Sequence, residues 1–347
     1  MNAIDISNRK IKILYAIISN YIKTGEPISS KNLCNLLDFS VSSATIRNEM
    51  SELTELGFLE QPHTSAARVP SFYGYKFYIK ELMPKKNISP KFRISVDEAL
   101  NLKLKLSTPE DILKTASNLL AKLTNLTVIS TIYANKNSII RNIQLVKTSK
   151  TSIMLILSTS NGLVKTKIFK CEYEIDSKIL ILLYNHLNEK FLGIKLSDIT
   201  PGFIQSVAAS LGELYLLIPN ALLAILEIAK DSLKNDIYIA GQANLLLIPE
   251  FSFNALKIFK LINCSDYTES LLTTANKATT ISIGNENIYE ELFNMSIIKT
   301  PCCFNDEVLG SIGIIGPIRV DYSNLIAKIE YIASTVSNLL GNILDSD

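Results

Sequence analysis

The stretch VSSATIRNEMSELTELGFLEQPHTSAARVPS, Val41 to Ser71, decides how the amino-terminal part of the chain folds. Ser42 stands at an N-cap position, and Ile46, Met50, Leu53 and Leu56 recur at helical spacing. Gly57 follows as a stop, so a helix is predicted over 41–57 with this apolar stripe facing inward. Ser43, Thr45, Arg47 and Asn48 then occupy the opposite face of its first two turns. These side chains are short or forked, of the kinds that hydrogen-bond base edges and phosphates. An ordinary surface helix followed by a polar hairpin fits the same residues, so the neighbouring segments must decide.

Upstream, Ile11, Leu14, Ile18 and Ile22 give an amphipathic helix over 7–24, capped by Ser7 and closed by Gly25. Ser29 caps a shorter helix, SSKNLCNLL, with Leu33, Leu36 and Leu37 facing inward. A brief turn at Asp38-Phe39-Ser40 delivers the next helix, the sequence form of a helix-turn-helix. Downstream, Phe58–Gln61 and Ala67–Val69 read as two extended runs around Pro62–Ser65, a β-hairpin or wing. A helix from Ser71 to Met83 completes a winged helix-turn-helix, and Pro84–Pro90 has linker composition.

In such a unit the leading residues of the second helix meet base edges in the major groove. Arg47 would pair with guanine and Asn48 would read adenine or hold a phosphate. Ser43 and Thr45 are short enough for close approach. Ser29, Ser30 and Lys31 would face a phosphate at the start of the supporting helix. His63, Thr64, Ser65 and Arg68 suit a wing that tracks the backbone or enters the minor groove.

Length and composition set the limits of this reading. The chain has 347 residues, 47% of them apolar, enough for two or three folded domains. Its net charge is only +2, so any DNA-binding surface must be local. Up to Lys86 there are 11 Lys and Arg against 8 Asp and Glu, which leaves −1 for the remainder. Five cysteines (Cys34, Cys171, Cys264, Cys302, Cys303) form no CxxC pair and have no histidine at ligand spacing. With no signal peptide, their odd number argues for the cytoplasm. The run LYLLIPNALLAILEIA, Leu214–Ala229, is broken by Pro219, Asn220 and Glu227. It falls short of a membrane span and is expected to be a buried helix pair or an interface.

After a helix from Thr108 to Leu123, strand-like runs follow: LTVISTIY, SIIRNIQLV, TSIMLILST and LVKTKIFKC. The pattern is helical over 176–234, returns to strands from Asp236 to Ile315, and ends in a helix over 321–340. A sheet interrupted by helices and then resumed predicts an α+β fold with one domain inserted in another. The run GSIGIIGP has GxxGxxG spacing and meets Pro317 rather than a helix start, so it reads as a glycine-rich strand. No catalytic constellation, cofactor loop or metal cluster is recognisable, and two histidines leave little room for nucleophile–base pairs. An enzyme is not expected.

The same stretch at 41–71, with GYKFYIKELM, IYIAGQANLLLIPEF, ISIGNEN and LGSIGIIGPIRVDYSNLIAKIEYIA, resembles the heat-inducible transcription repressor HrcA family of bacteria. The matching blocks lie at both ends, in order. The resemblance implies a winged helix at 1–86, a GAF-like domain formed by 87–172 and 250–347, and a dimerising insert at 173–249. It also implies repression of chaperone operons at the inverted-repeat operator CIRCE, release on heat stress, and a chaperonin that supports the active form. The expected partners are double-stranded DNA, a second copy of the chain and chaperonin, with no membrane. Two positions depart from the family. Its wing usually reads HTSAGRIP, where this chain has Ala67 and Val69, and it commonly has glycine where Ser29 stands. If that glycine has positive φ, Ala67 strains the wing by about 1 kcal/mol. A rival reading is a small-molecule sensor that uses the GAF-like domain as its pocket, which a bound metabolite would stabilise.

Overall fold

Polar caps and left-handed glycines set the first helices. The computed structural model describes residues 7–62, 67–101, 108–210, 219–251, 254–273 and 276–344. Helix α1 (Asn8–Thr24) starts at Ser7, whose hydroxyl accepts from the Lys10 amide, and stops at Gly25 with φ 71°. Ser29 caps α2 (Ser30–Cys34) and Ser42 caps α3 (Ser43–Glu55). Gly57, at φ 80°, then reverses the chain in a conformation L side chains rarely adopt. Strands β1 (Leu59–Glu60) and β2 (Val69–Pro70) pair antiparallel, and Arg68 extends the ladder to Ile28. Helix α4 (Phe72–Phe77), capped by Ser71, runs into a π-helical turn at Tyr78–Leu82.

Ile13, Leu14, Ile17, Ile18, Leu33, Ile46, Met50, Leu53 and Phe58 fill the core of this unit. Two leucines expected there point outward, Leu36 at 53% exposure and Leu56 at 41%. Helix α2 ends at Cys34 and α3 at Glu55, so both leucines lie on turns where the helical period no longer applies.

The rest of the chain is α+β. Helix α5 (Pro90–Asn101), unforeseen in the sequence, leads to α6 (Pro109–Thr124), which a Thr108–Asp111 capping box begins. Strands β3 (Thr127–Ile132), β7 (Asp236–Ala240), β8 (Thr280–Ile283), β9 (Met295–Phe304) and β10 (Glu307–Pro317) form an antiparallel sheet ordered β7-β3-β10-β9-β8. The glycine-rich run is central strand β10. Alternate residues serve opposite faces of this sheet. Val128, Ile298, Ile312 and Ile314 pack toward α6 and α12 (Tyr322–Leu344). Their neighbours Ile129, Ile297 and Ile315 pack toward α10 (Ala255–Ile262) and α11 (Ser265–Leu272).

Between β3 and β7 a second antiparallel sheet forms from β4 (Ile140–Lys147), β5 (Ser152–Thr159) and β6 (Val164–Lys170). It shares a separate core with α7 (Ser177–Phe191), α8 (Pro201–Ser210) and α9 (Pro219–Ser232), including Ile143, Leu155, Phe169, Leu187 and Ile225. Residues 140–170 therefore pack with the helices that follow them, whereas the expected boundaries grouped them with the five-stranded sheet. The reason is that alternation identifies a strand's apolar face but not the sheet it joins.

In the run 214–229, residues up to 218 lie outside the described residues. From Pro219 onward it forms α9, where Ala221, Leu222, Ile225, Ile228 and Ala229 are buried in this chain's own core. Of the two readings the sequence allowed for this run, a buried helix pair or an interface, this part follows the buried helix. Leu223 of α9 is exposed, and exposed apolar residues of the neighbouring elements include Val164 and Ile168 on β6 and Ile181 and Tyr184 on α7. Among the described residues, no helix is long and apolar enough to cross a membrane.

Candidate nucleic-acid interface

Helix α3 has two faces of opposite character. Ile46, Met50 and Leu53 are buried, which turns Ser43, Arg47 and Asn48 outward, all exposed. Thr45 is only half exposed, and its hydroxyl lies 2.8 Å from the hydroxyl of Ser42. The Thr45 amide also donates to Ser42 Oγ at 3.1 Å, so this residue takes part in the cap. Ser43, Arg47 and Asn48 thus form the open edge, with Thr45 beside it.

A feature that sequence reading missed lies on the inner side of α3. Glu49 is 4% exposed. Its Oε1 accepts from Arg9 Nε at 2.6 Å and also from the terminal Arg9 nitrogen. Its Oε2 has no hydrogen-bond partner among the described residues and lies 3.7 Å from Lys10 Nζ, too far for a hydrogen bond. Lys10 instead pairs with Glu52 at 2.7 Å. That hydrogen bond raises the ammonium pKa of Lys10 above its usual value. The available signal was an adjacent cation pair on one helix and carboxylates three residues apart on another.

The supporting helix and the wing are placed less uniformly. The Ser29 hydroxyl accepts from the Asn32 amide at 3.3 Å as the cap of α2. Ser30 is half exposed and Lys31 exposed on the following turn. His63, Thr64 and Ser65 lie outside the described residues. Arg68, expected to reach outward from the wing, sits at its base. It donates through Nε to Thr54 Oγ1 at 3.2 Å and through a terminal nitrogen to the Ala67 carbonyl at 3.3 Å. Thr54 donates in turn to the Met50 carbonyl, so Arg68 fastens the hairpin to α3.

This unit is joined to the large sheet rather than tethered beside it. Lys76 pairs with Glu286, and Lys86 Nζ lies 2.6 Å from Asp321. Ser323 donates to the Pro84 carbonyl, so the segment of linker composition begins against α12. The rings of Tyr75 and Tyr322 meet edge-on at 6.4 Å, within a core that runs from α1 to α12. A crevice of about 630 Å³ opens along the seam, lined by Tyr21, Phe72, Phe293 and Arg319 among others.

The model of the HrcA protein C-terminal domain matches residues 110–326. The heat-inducible transcription repressor HrcA of Thermoanaerobacter sp. (strain X514) is 34% identical over 345 residues, 99% of each chain. That of Clostridium botulinum (strain Alaska E43 / Type E3) is 34% identical over 343 residues, 97% of this chain and 98% of the relative. A crystal structure of a protein described as hypothetical, at 2.2 Å, superposes with a TM-score of 0.67 at 23% identity. It covers 98% of this chain and 100% of its own, which supports the fold alone. End-to-end similarity of this kind places the chain in a class of transcription repressors, not of enzymes. It belongs to the heat-inducible transcription repressor HrcA family.

Proposed function

We propose that the chain is a cytoplasmic repressor of heat-shock operons, and that it binds the CIRCE inverted repeat through the open edge of α3. The observation that carries this reading is the exposed Ser43, Arg47 and Asn48 on a helix whose other face is anchored in a core. In it, α1 to α4 with β1 and β2 act as a winged helix-turn-helix. Arg47 pairs with guanine in the major groove, Asn48 reads adenine or a phosphate, and Ser43 and Thr45 permit close approach. Ser29, Ser30 and Lys31 lie along the phosphates, and His63, Thr64 and Ser65 are assigned contacts with the DNA backbone. Arg68 braces the wing instead of entering a groove.

The five-stranded sheet and its helices form a GAF-like body, and residues 140–232 form the insert. An inverted-repeat operator asks for a two-fold dimer. Exposed Val164, Ile168, Ile181 and Tyr184 favour the insert as the dimerising surface. Heat that opens the fold removes the active population, and chaperonin restores it. Substituting Arg47→Ala is expected to lower operator preference by about tenfold to hundredfold, the share of one bidentate base contact. Binding measured on operator and scrambled duplexes tests this, and an Arg47→Ala protein that keeps full preference would refute the assignment of α3. Sedimentation should give a dimer in the absence of DNA.

A further inference from the structure

We propose that Glu49 is a positioning residue for DNA recognition, one that fixes the rotation of α3 through Arg9, with Lys10 holding Glu52 one turn on, and so sets where Arg47 and Asn48 point. The inference rests on the DNA-binding reading above. Glu49 follows Asn48 directly, yet it is buried while Asn48 and Arg47 are exposed. Turning α3 by one residue, roughly 100°, would exchange the buried carboxylate for the amide meant to face DNA. The apolar contacts of Ile46, Met50 and Leu53 hold α3 by the shape of their packing, while the hydrophobic attraction itself is non-directional. Ion-paired hydrogen bonds are directional.

The contacts are arranged to use that property. Both Arg9 donors converge on Glu49 Oε1 from the first turn of α1, 40 residues away in sequence. Lys10 reaches Glu52, one turn further along α3, at 2.7 Å. Two successive turns of α3 are thus gripped by two adjacent residues of α1. A buried carboxylate is a poor choice for stability alone, since an apolar residue of similar volume often packs as well or better. The same pairing neutralises two acidic groups on a helix that must approach phosphates.

The test uses the full chain, with a duplex carrying the CIRCE repeat and one with both half-sites scrambled. The proteins are the wild type, Glu49→Gln, Arg9→Gln and Arg9→Lys. The readout is the ratio of the two affinities, which does not depend on the fraction of protein folded. Glu49→Gln and Arg9→Gln are expected to lower the ratio by about tenfold or more, the scale of one misplaced base contact. Affinity for the scrambled duplex should change much less, and Arg9→Lys should be intermediate. If the wild type discriminates and the variants keep its full ratio, including by weakening both duplexes equally, Glu49 is a structural ion-pair residue and the proposal fails. If Glu49→Gln does not fold, the two Arg9 variants decide by the same criterion. If the wild type shows no preference with chaperonin present as well as absent, the DNA reading fails and this inference falls with it.

Discussion

The Tyr75 hydroxyl is buried in the seam between α4 and α12 and has no hydrogen-bond partner among the described residues. Burial, reinforced by the neighbouring Tyr322 and Tyr21, raises its pKa far above that of a free phenol. An unsatisfied buried donor stabilises nothing, so Tyr75→Phe should leave stability unchanged or raise it by up to about 1 kcal/mol. Urea unfolding checks this, and a clear loss would reveal a hydrogen bond to this hydroxyl. Arg47 and Asn48 were legible from the sequence because helical spacing alone turns them away from the apolar stripe. Arg68 was legible as a cation of the hairpin but not as a brace, since its partner Thr54 is set by how the hairpin folds onto α3. Glu49 was not legible, because its partners lie on another helix and helical spacing rules reach only neighbours in the same helix.

At the scale of elements, caps and close approaches carry the sharpest expectations. Ser42 accepts from the Thr45 amide at the start of α3, and Ser42→Ala should cost about 1 kcal/mol in thermal or denaturant unfolding. Gly74 lies under the Phe58 carbonyl, whose oxygen would stand 2.2 Å from an added Cβ. That oxygen belongs to the backbone, so Gly74→Ala must displace α4 from β1. A loss of about 3 kcal/mol or more is expected. Equal stability of the two variants would contradict this account. The caps at Ser7, Ser29 and Ser42 were readable because capping is local chemistry. Helix α5 was missed behind a lysine- and proline-rich linker, and α10 and α11 because each is only eight residues long.

Across the whole molecule, one core joins α1, α3 and α4 to the large sheet and α12, whereas β4 to β6 and α7 to α9 are built around another. Amides of α3 and α12 should therefore lose hydrogen-exchange protection together on heating, while β4 to β6 lose it at a different temperature. Release of α1–α4 alone, with α12 still protected, would contradict the shared core. Coupling of this kind would give heat a route to the proposed DNA-binding edge, since an opening of the seam disturbs the unit that carries Arg47. Strand order was the part of the architecture hidden from the sequence. The long-range pairing of β3 with β7 and β10 leaves no local trace in any of the three strands.

The most direct measurement is a salt titration of binding by the full chain to the CIRCE duplex and to its scrambled counterpart. The account predicts a preference for the operator of at least about a thousandfold, with a log–log salt slope corresponding to several phosphate contacts on both duplexes. Equal affinity for the two duplexes at every salt concentration, with chaperonin present as well as absent, would contradict it.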